Sequence, residues 1–117
     1  MTRIGVIAED SSDIDVVKEL ILKLKSPRSF CVRHFVGNGC GKLRNKCRAW
    51  ANQLHLNGCS ALLFIHDLDR NKPAKLRTDL TAALTPCPIV KHVIVIPIEE
   101  IEAWLMCDAS AFKKFLG

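Results

Sequence analysis

Apolar residues along this chain change their spacing several times, and each change marks an element. Residues 3–8 open with a short run rich in β-branched side chains, Ile4-Gly5-Val6-Ile7-Ala8, which predicts a strand. Ser12 followed by Asp15 has the spacing of a capping box. Val17, Leu20, Ile21 and Leu24 then recur at helical intervals until Pro27. Residues 29–36 alternate in part and read as a second strand, and Gly37-Asn38-Gly39-Cys40-Gly41 reads as a loop. From Lys42 onward, Leu43, Cys47, Trp50, Ala51 and Leu54 mark one helix face, which Asn57-Gly58 stops.

The most apolar run follows, Ala61-Leu62-Leu63-Phe64-Ile65, leading into His66-Asp67-Leu68-Asp69. Pro73 suits the first turn of a third helix with the face Leu76, Leu80, Ala83 and Leu84, which Pro86 and Pro88 end. Val93-Ile94-Val95-Ile96 reads as a fourth strand, followed by Pro97 and a helix-like stretch from Glu99 to Met106. Strands that alternate with helices, and that read as unbroken apolar runs, belong to parallel sheets covered on both faces. The expected fold is α/β: a Rossmannoid three-layer arrangement with a mainly parallel sheet of about four strands and helices on both faces. The chain has 117 residues and no internal repeat, linker or low-complexity stretch, so one domain over 1–117 is expected.

Composition narrows the class. With 49% apolar and 25% charged residues the chain is neither a disordered tail nor a fibre. No apolar run approaches the roughly 20 residues needed to span a bilayer, and the first residues lack a signal-peptide pattern. Six cysteines are scattered without a CxxC pair, which reads as reduced thiols in a cytoplasmic protein rather than a disulfide framework or a zinc site.

Charge is distributed unevenly. Residues 1–19 hold two Lys/Arg and five Asp/Glu; residues 20–66 hold eight Lys/Arg and no acid; residues 67–117 hold seven of each. A solvated basic face accounts for the middle segment. So does an anionic partner that also meets carboxylates, such as nucleic acid bound with a divalent metal.

The positions of the acids sharpen this. Ligands of open parallel sheets bind beyond the carboxyl ends of the strands. Glu9 and Asp10 follow the first predicted strand, Asp67 and Asp69 the third, and Glu99, Glu100 and Glu102 the fourth. Carboxylates gathered at one edge repel unless a cation sits among them, and hard oxygen ligands suit Mg²⁺ or Mn²⁺. Asp13 and Asp15 read as helix-cap or solvated acids.

A Glu after the first strand, Asp-x-Asp after a later apolar strand and this element order resemble the Toprim domain, the catalytic domain of topoisomerases, primases and several nucleases. The stretch Glu99-Glu100-Ile101-Glu102-Ala103-Trp104-Leu105 is similar to the Glu-x-Glu-Ala-Trp-Leu signature of a Toprim-like branch of uncharacterised bacterial proteins linked to phage defence and retron-type systems. The resemblance covers about residues 3–108. It implies a Toprim-like fold and a Mg²⁺- or Mn²⁺-dependent nuclease. Glu9 would be general acid/base or metal ligand, Asp67 and Asp69 would hold the metal, and Glu99 and Glu102 would complete that site or a second one. Two departures stand out. Toprim proteins usually carry Gly after the glutamate, where this chain has Asp10. Members of the branch also tend to be longer, so the chain reads as a minimal or truncated version.

Nucleic acid is the expected partner, contacted by Lys42, Arg44, Lys46 and Arg48 with Arg70 and Lys72. The glycines before Lys42 would offer backbone N–H groups to a phosphate, although the loop is one residue short of a Walker A motif and has Leu43 in place of Ser/Thr. Otherwise it is an ordinary flexible loop. His66 reads as a structural histidine, or as an aid to a metal site beside Asp67. Trp50 and Trp104 read as packing. Two other functions fit less of the pattern. One is a non-catalytic module that binds nucleic acid or a partner protein such as an ATPase. The other is a receiver-like signalling domain with Asp67 as phospho-acceptor, against which the fourth strand ends in Pro97-Ile98-Glu99 rather than Ser/Thr.

Overall fold

The computed structural model describes residues 2–24, 30–37, 40–66 and 72–96. Among the described residues seven elements alternate: β1 (Thr2–Ala8), α1 (Ser11–Leu24), β2 (Phe30–Val36), α2 (Cys40–Leu56), β3 (Ala61–Ile65), α3 (Pro73–Leu84) and β4 (Lys91–Val95). The four strands form one parallel sheet in the order β2-β1-β3-β4. This is the expected α/β class, a Rossmann-like three-layer arrangement of a parallel sheet between helices.

The order follows from the handedness of the crossovers. The chain steps outward from β1 to β2, then back across β1 to β3 and on to β4. Right-handed connections running in opposite directions along a sheet put their helices on opposite faces. Accordingly Ile4, Val6 and Ala8 of β1 pack with Ile14, Val17 and Ile21 of α1 on one side. Ile7, Leu62 and Phe64 pack with Leu43, Leu54, Leu76 and Leu80 of α2 and α3 on the other. All five residues of β3 are buried because both of its faces are covered, which is why that strand reads as an unbroken apolar run.

Two glycines are required by geometry. Gly5 faces α2, and a Cβ there would stand 2.9 Å from Leu54 Cδ1 and 3.4 Å from Leu54 Cβ, so the helix lies on bare backbone. Gly58 has φ +86 and ends α2 in a Schellman motif, its N–H donating to His55 O and that of Cys59 to Leu54 O, both at 3.0 Å. The Arg3 guanidinium closes the same corner by donating to Asn57 O at 2.7 Å.

Several boundaries differ from the sequence reading. The α1 helix starts at Ser11, and its cap is Asp10: Oδ1 accepts the Ser12 N–H at 3.2 Å, and the Asp10 carbonyl accepts the Asp13 N–H at 3.2 Å. The Ser12–Asp15 capping box therefore does not form. The α2 helix begins at Cys40, so Cys40 and Gly41 belong to its first turn rather than to a loop. The fourth strand begins at Lys91 and ends at Val95, and its first three residues are exposed, which hides its start from an apolar pattern. The helix-like stretch from Glu99 to Met106 lies outside the described residues.

Cys31, Cys47, Cys59 and Cys87 are free thiols. Trp50 stacks on Phe35 with ring centroids 5.3 Å apart, in keeping with a packing role; Trp104 lies outside the described residues.

Candidate functional site

In the order β2-β1-β3-β4, the chain leaves β1 in one direction and reaches β3 from the other, so a crevice opens between the carboxyl ends of these two neighbours. Pairing of Ile7 with Phe64 carries forward by two residues to bring Glu9 opposite His66. Glu9 Oε1 lies 3.5 Å from His66 Nε2, with His66 fully buried and the Glu9 side chain 15% exposed. The His66 backbone N–H donates to Val95 O at 3.0 Å, which prolongs the β3–β4 ladder and fixes the base of the ring. The imidazole is thus a rigid post, and the carboxylate it faces keeps one side toward solvent.

Asp10, next in the chain, is turned to a different task as the α1 cap, with Ser11 Oγ donating to it at 3.5 Å. Of the first acidic pair, Glu9 faces His66 at the crevice and Asp10 caps the helix. Asp67, Asp69, Glu99 and Glu102, as well as Arg70, lie outside the described residues. Among the described residues no group of three or more His, Cys, Asp or Glu is placed to hold a metal ion. Glu9 supplies one hard oxygen at the crevice, which suits Mg²⁺ or Mn²⁺. Those ions take about six ligands, so further ones would have to come from Asp67 and Asp69, which follow His66 in the sequence.

The predicted cations divide. Lys42, Arg44, Lys46 and Arg48 all fall on α2, but at about 100° per residue Lys46 and Arg44 are about 200° apart around the axis. Lys46 shares its flank with Trp50, which reaches Phe35 on β2. Arg44 and Arg48 lie on the other flank, away from β2. Around the axis the cations thus form two i,i+4 lines on opposite flanks. Lys72 is exposed at the start of α3, one residue before Pro73. The glycine loop offers less than its sequence promises: the Gly37 N–H already donates to Ala8 O at 2.8 Å, extending the β1–β2 ladder, and 38–39 lie outside the described residues.

An open groove of about 300 Å³ lies at the opposite edge of the sheet, between His55, Cys59, Pro88 and Lys91. It carries no carboxylate and is remote from Glu9, so it forms no part of this site.

The sequence reads His66 as a structural histidine or as an aid to a metal site beside Asp67, and does not show its contact with Glu9. Its position one residue past an apolar strand matches that of Glu9, but only the pairing of β1 with β3 turns that parallel into contact. No protein-family model, curated protein or solved structure matches the chain. No helix among the described residues is long and apolar enough to cross a membrane.

Proposed function

We propose that the chain is a Mg²⁺- or Mn²⁺-dependent phosphoryl-transfer enzyme of Toprim type, most simply a nuclease acting on DNA or RNA. The observation that carries this reading is the Glu9–His66 pair at the crevice between β1 and β3, where this topology receives its ligands. A carboxylate held there by a buried imidazole is aimed and only partly hydrated, as a metal ligand or a general base needs to be. Asp67 and Asp69 continue from His66 and would share the ion with Glu9; Glu99 and Glu102 would complete the shell. The metal, when bound, screens the phosphate charge and lowers the pKa of an attacking water. Glu9 either ligates that ion or takes and returns the proton, and the α2 cations neutralise flanking phosphates.

The test is calorimetric titration of Mn²⁺ and Mg²⁺ into the wild type, Glu9→Gln and the Asp67→Ala/Asp69→Ala variant, with plasmid nicking measured on the same samples. Binding and nicking that vanish together in the variants are the expected result. Salt-sensitive nucleic-acid binding that needs no metal and leads to no cleavage would make the chain a non-catalytic binding module instead. Acyl phosphate on Asp67 after treatment with a small phosphodonor would place it among receiver domains.

A further inference from the structure

The flank formed by β2 and α2 joins a stacked aromatic pair to cations in a stretch without acids. In the described sheet β2 is an outer strand, and Arg33 and Phe35 point to its α2 side, level with Gly5 and Ile7 of β1. The Phe35 and Trp50 rings are parallel, with an interplanar angle of 1°, and both are only half-buried. Lys46, one turn before Trp50, is exposed, as is Arg33. Residues 20–66 include no Asp or Glu.

The axial register of helix on strand sets the order of these groups. Leu54 sits on Gly5, and Trp50, one turn earlier, sits on Phe35, level with Ile7. One helical turn advances about 5.4 Å and two strand residues about 6.6 Å. The next turn therefore puts Lys46 near the level of Glu9 and Gly37, at the crevice edge. Lys46, the aromatic pair and Arg33 follow one another along a line of about 13 Å leading away from that edge.

We infer that this flank is a binding track for single-stranded nucleic acid, with Lys46 and Arg33 on backbone phosphates and the exposed part of the Trp50–Phe35 stack under a base. The ligand class rests on the proposed function; the restriction to single strands does not. An aromatic platform between cations reads the faces of bases, which a duplex keeps stacked inside, whereas its grooves show only base edges.

Fluorescence anisotropy of a labelled oligothymidylate and of a duplex of equal length, in EDTA and across a salt series, tests it independently of the metal site. The wild type should bind the single strand more tightly. Arg33→Glu/Lys46→Glu should weaken binding by about tenfold or more and flatten the salt slope by about 0.7 for each phosphate no longer neutralised. Trp50→Leu should weaken it about five- to hundredfold at an unchanged slope. The double charge reversal, at two exposed positions, keeps the test decisive should Trp50→Leu fail to fold. Preference for the duplex, no binding of the single strand, or wild-type binding by the folded charge-reversal variant would overturn the inference. Manganese titration of the same samples separates the two readings: metal binding without oligonucleotide binding removes the track alone, and the reverse removes only the metal-dependent activity.

Discussion

The imidazole of His66 and the carboxylate of Glu9 meet at 3.5 Å across the two central strands, one fully buried and the other at the rim. Neither is positioned by its own loop; each is the first residue past a paired strand. Replacing His66 by Ala should lower stability by about 1–3 kcal/mol, because a cavity opens where the buried ring packs and the Glu9 carboxylate loses the group it faces. The same change should weaken Mn²⁺ binding, since Glu9 loses its post. Urea melts and calorimetry on one preparation read both effects, and unchanged metal affinity in a folded His66→Ala protein would reduce His66 to packing.

Asp10 and Glu9 are adjacent yet separable. Asp10→Ala removes the α1 cap and should destabilise the fold by about 1 kcal/mol. Metal titration should not register it. Glu9→Gln should show the opposite pattern, with a small change in the urea midpoint and loss of metal binding.

Close approach of α2 to the sheet depends on Gly5. A methyl at that position meets Leu54, so Gly5→Ala should cost about 1–3 kcal/mol and Gly5→Val more. Combining Gly5→Ala with Leu54→Ala should leave the added methyl almost free of penalty, and a double-mutant cycle measures that coupling.

Burial pushes the Cys47, Cys59 and Cys87 thiols up, against the weaker opposing pull of Arg48 on Cys47 and of Arg3 and Arg33 on Cys59. A raised native pKa means that the folded chain keeps protons the unfolded chain releases. Stability is therefore full below about pH 8.5, the ordinary thiol value, and falls as pH rises through the native values. Urea midpoints measured from pH 7.5 to 10 should decline, and Cys47→Ala should flatten the decline. A flat profile in the wild type would contradict it.

The strands and helices were legible because their apolar spacing reports burial, and burial here is regular. β3 is covered on both faces, so its sequence carries no polar break. β4 is an outer strand of the described sheet, so Lys91 and His92 look like loop until the pairing of Lys91 with Ala61 and of His92 with Leu62 is seen. Glu9-Asp10-Ser11-Ser12-Asp13 offers several cap registers of similar chemistry, and the length of β1 selects Asp10. The place of Glu9 at the carboxyl end of β1 was legible from the apolar run before it. Its partner was not, because strand order is set by crossovers, and no periodicity encodes which strand returns beside β1. The split of the α2 cations into two lines follows from helix angle alone, but which line faces β2 required the Phe35–Trp50 contact.

Arg33 and His34 occupy the middle of β2, both exposed, on the rim of the described sheet. An outer strand presents a row of backbone donors and acceptors to any second copy of the chain, and central charged side chains are a common guard against such edge-to-edge growth. The flanking sequence Phe30-Cys31-Val32 and Phe35-Val36 is otherwise well suited to it. A neutral, β-branched residue at position 33 should therefore favour self-association through this edge and, in the same step, weaken the proposed grip on an anionic strand, so that solubility and ligand capture share one side chain.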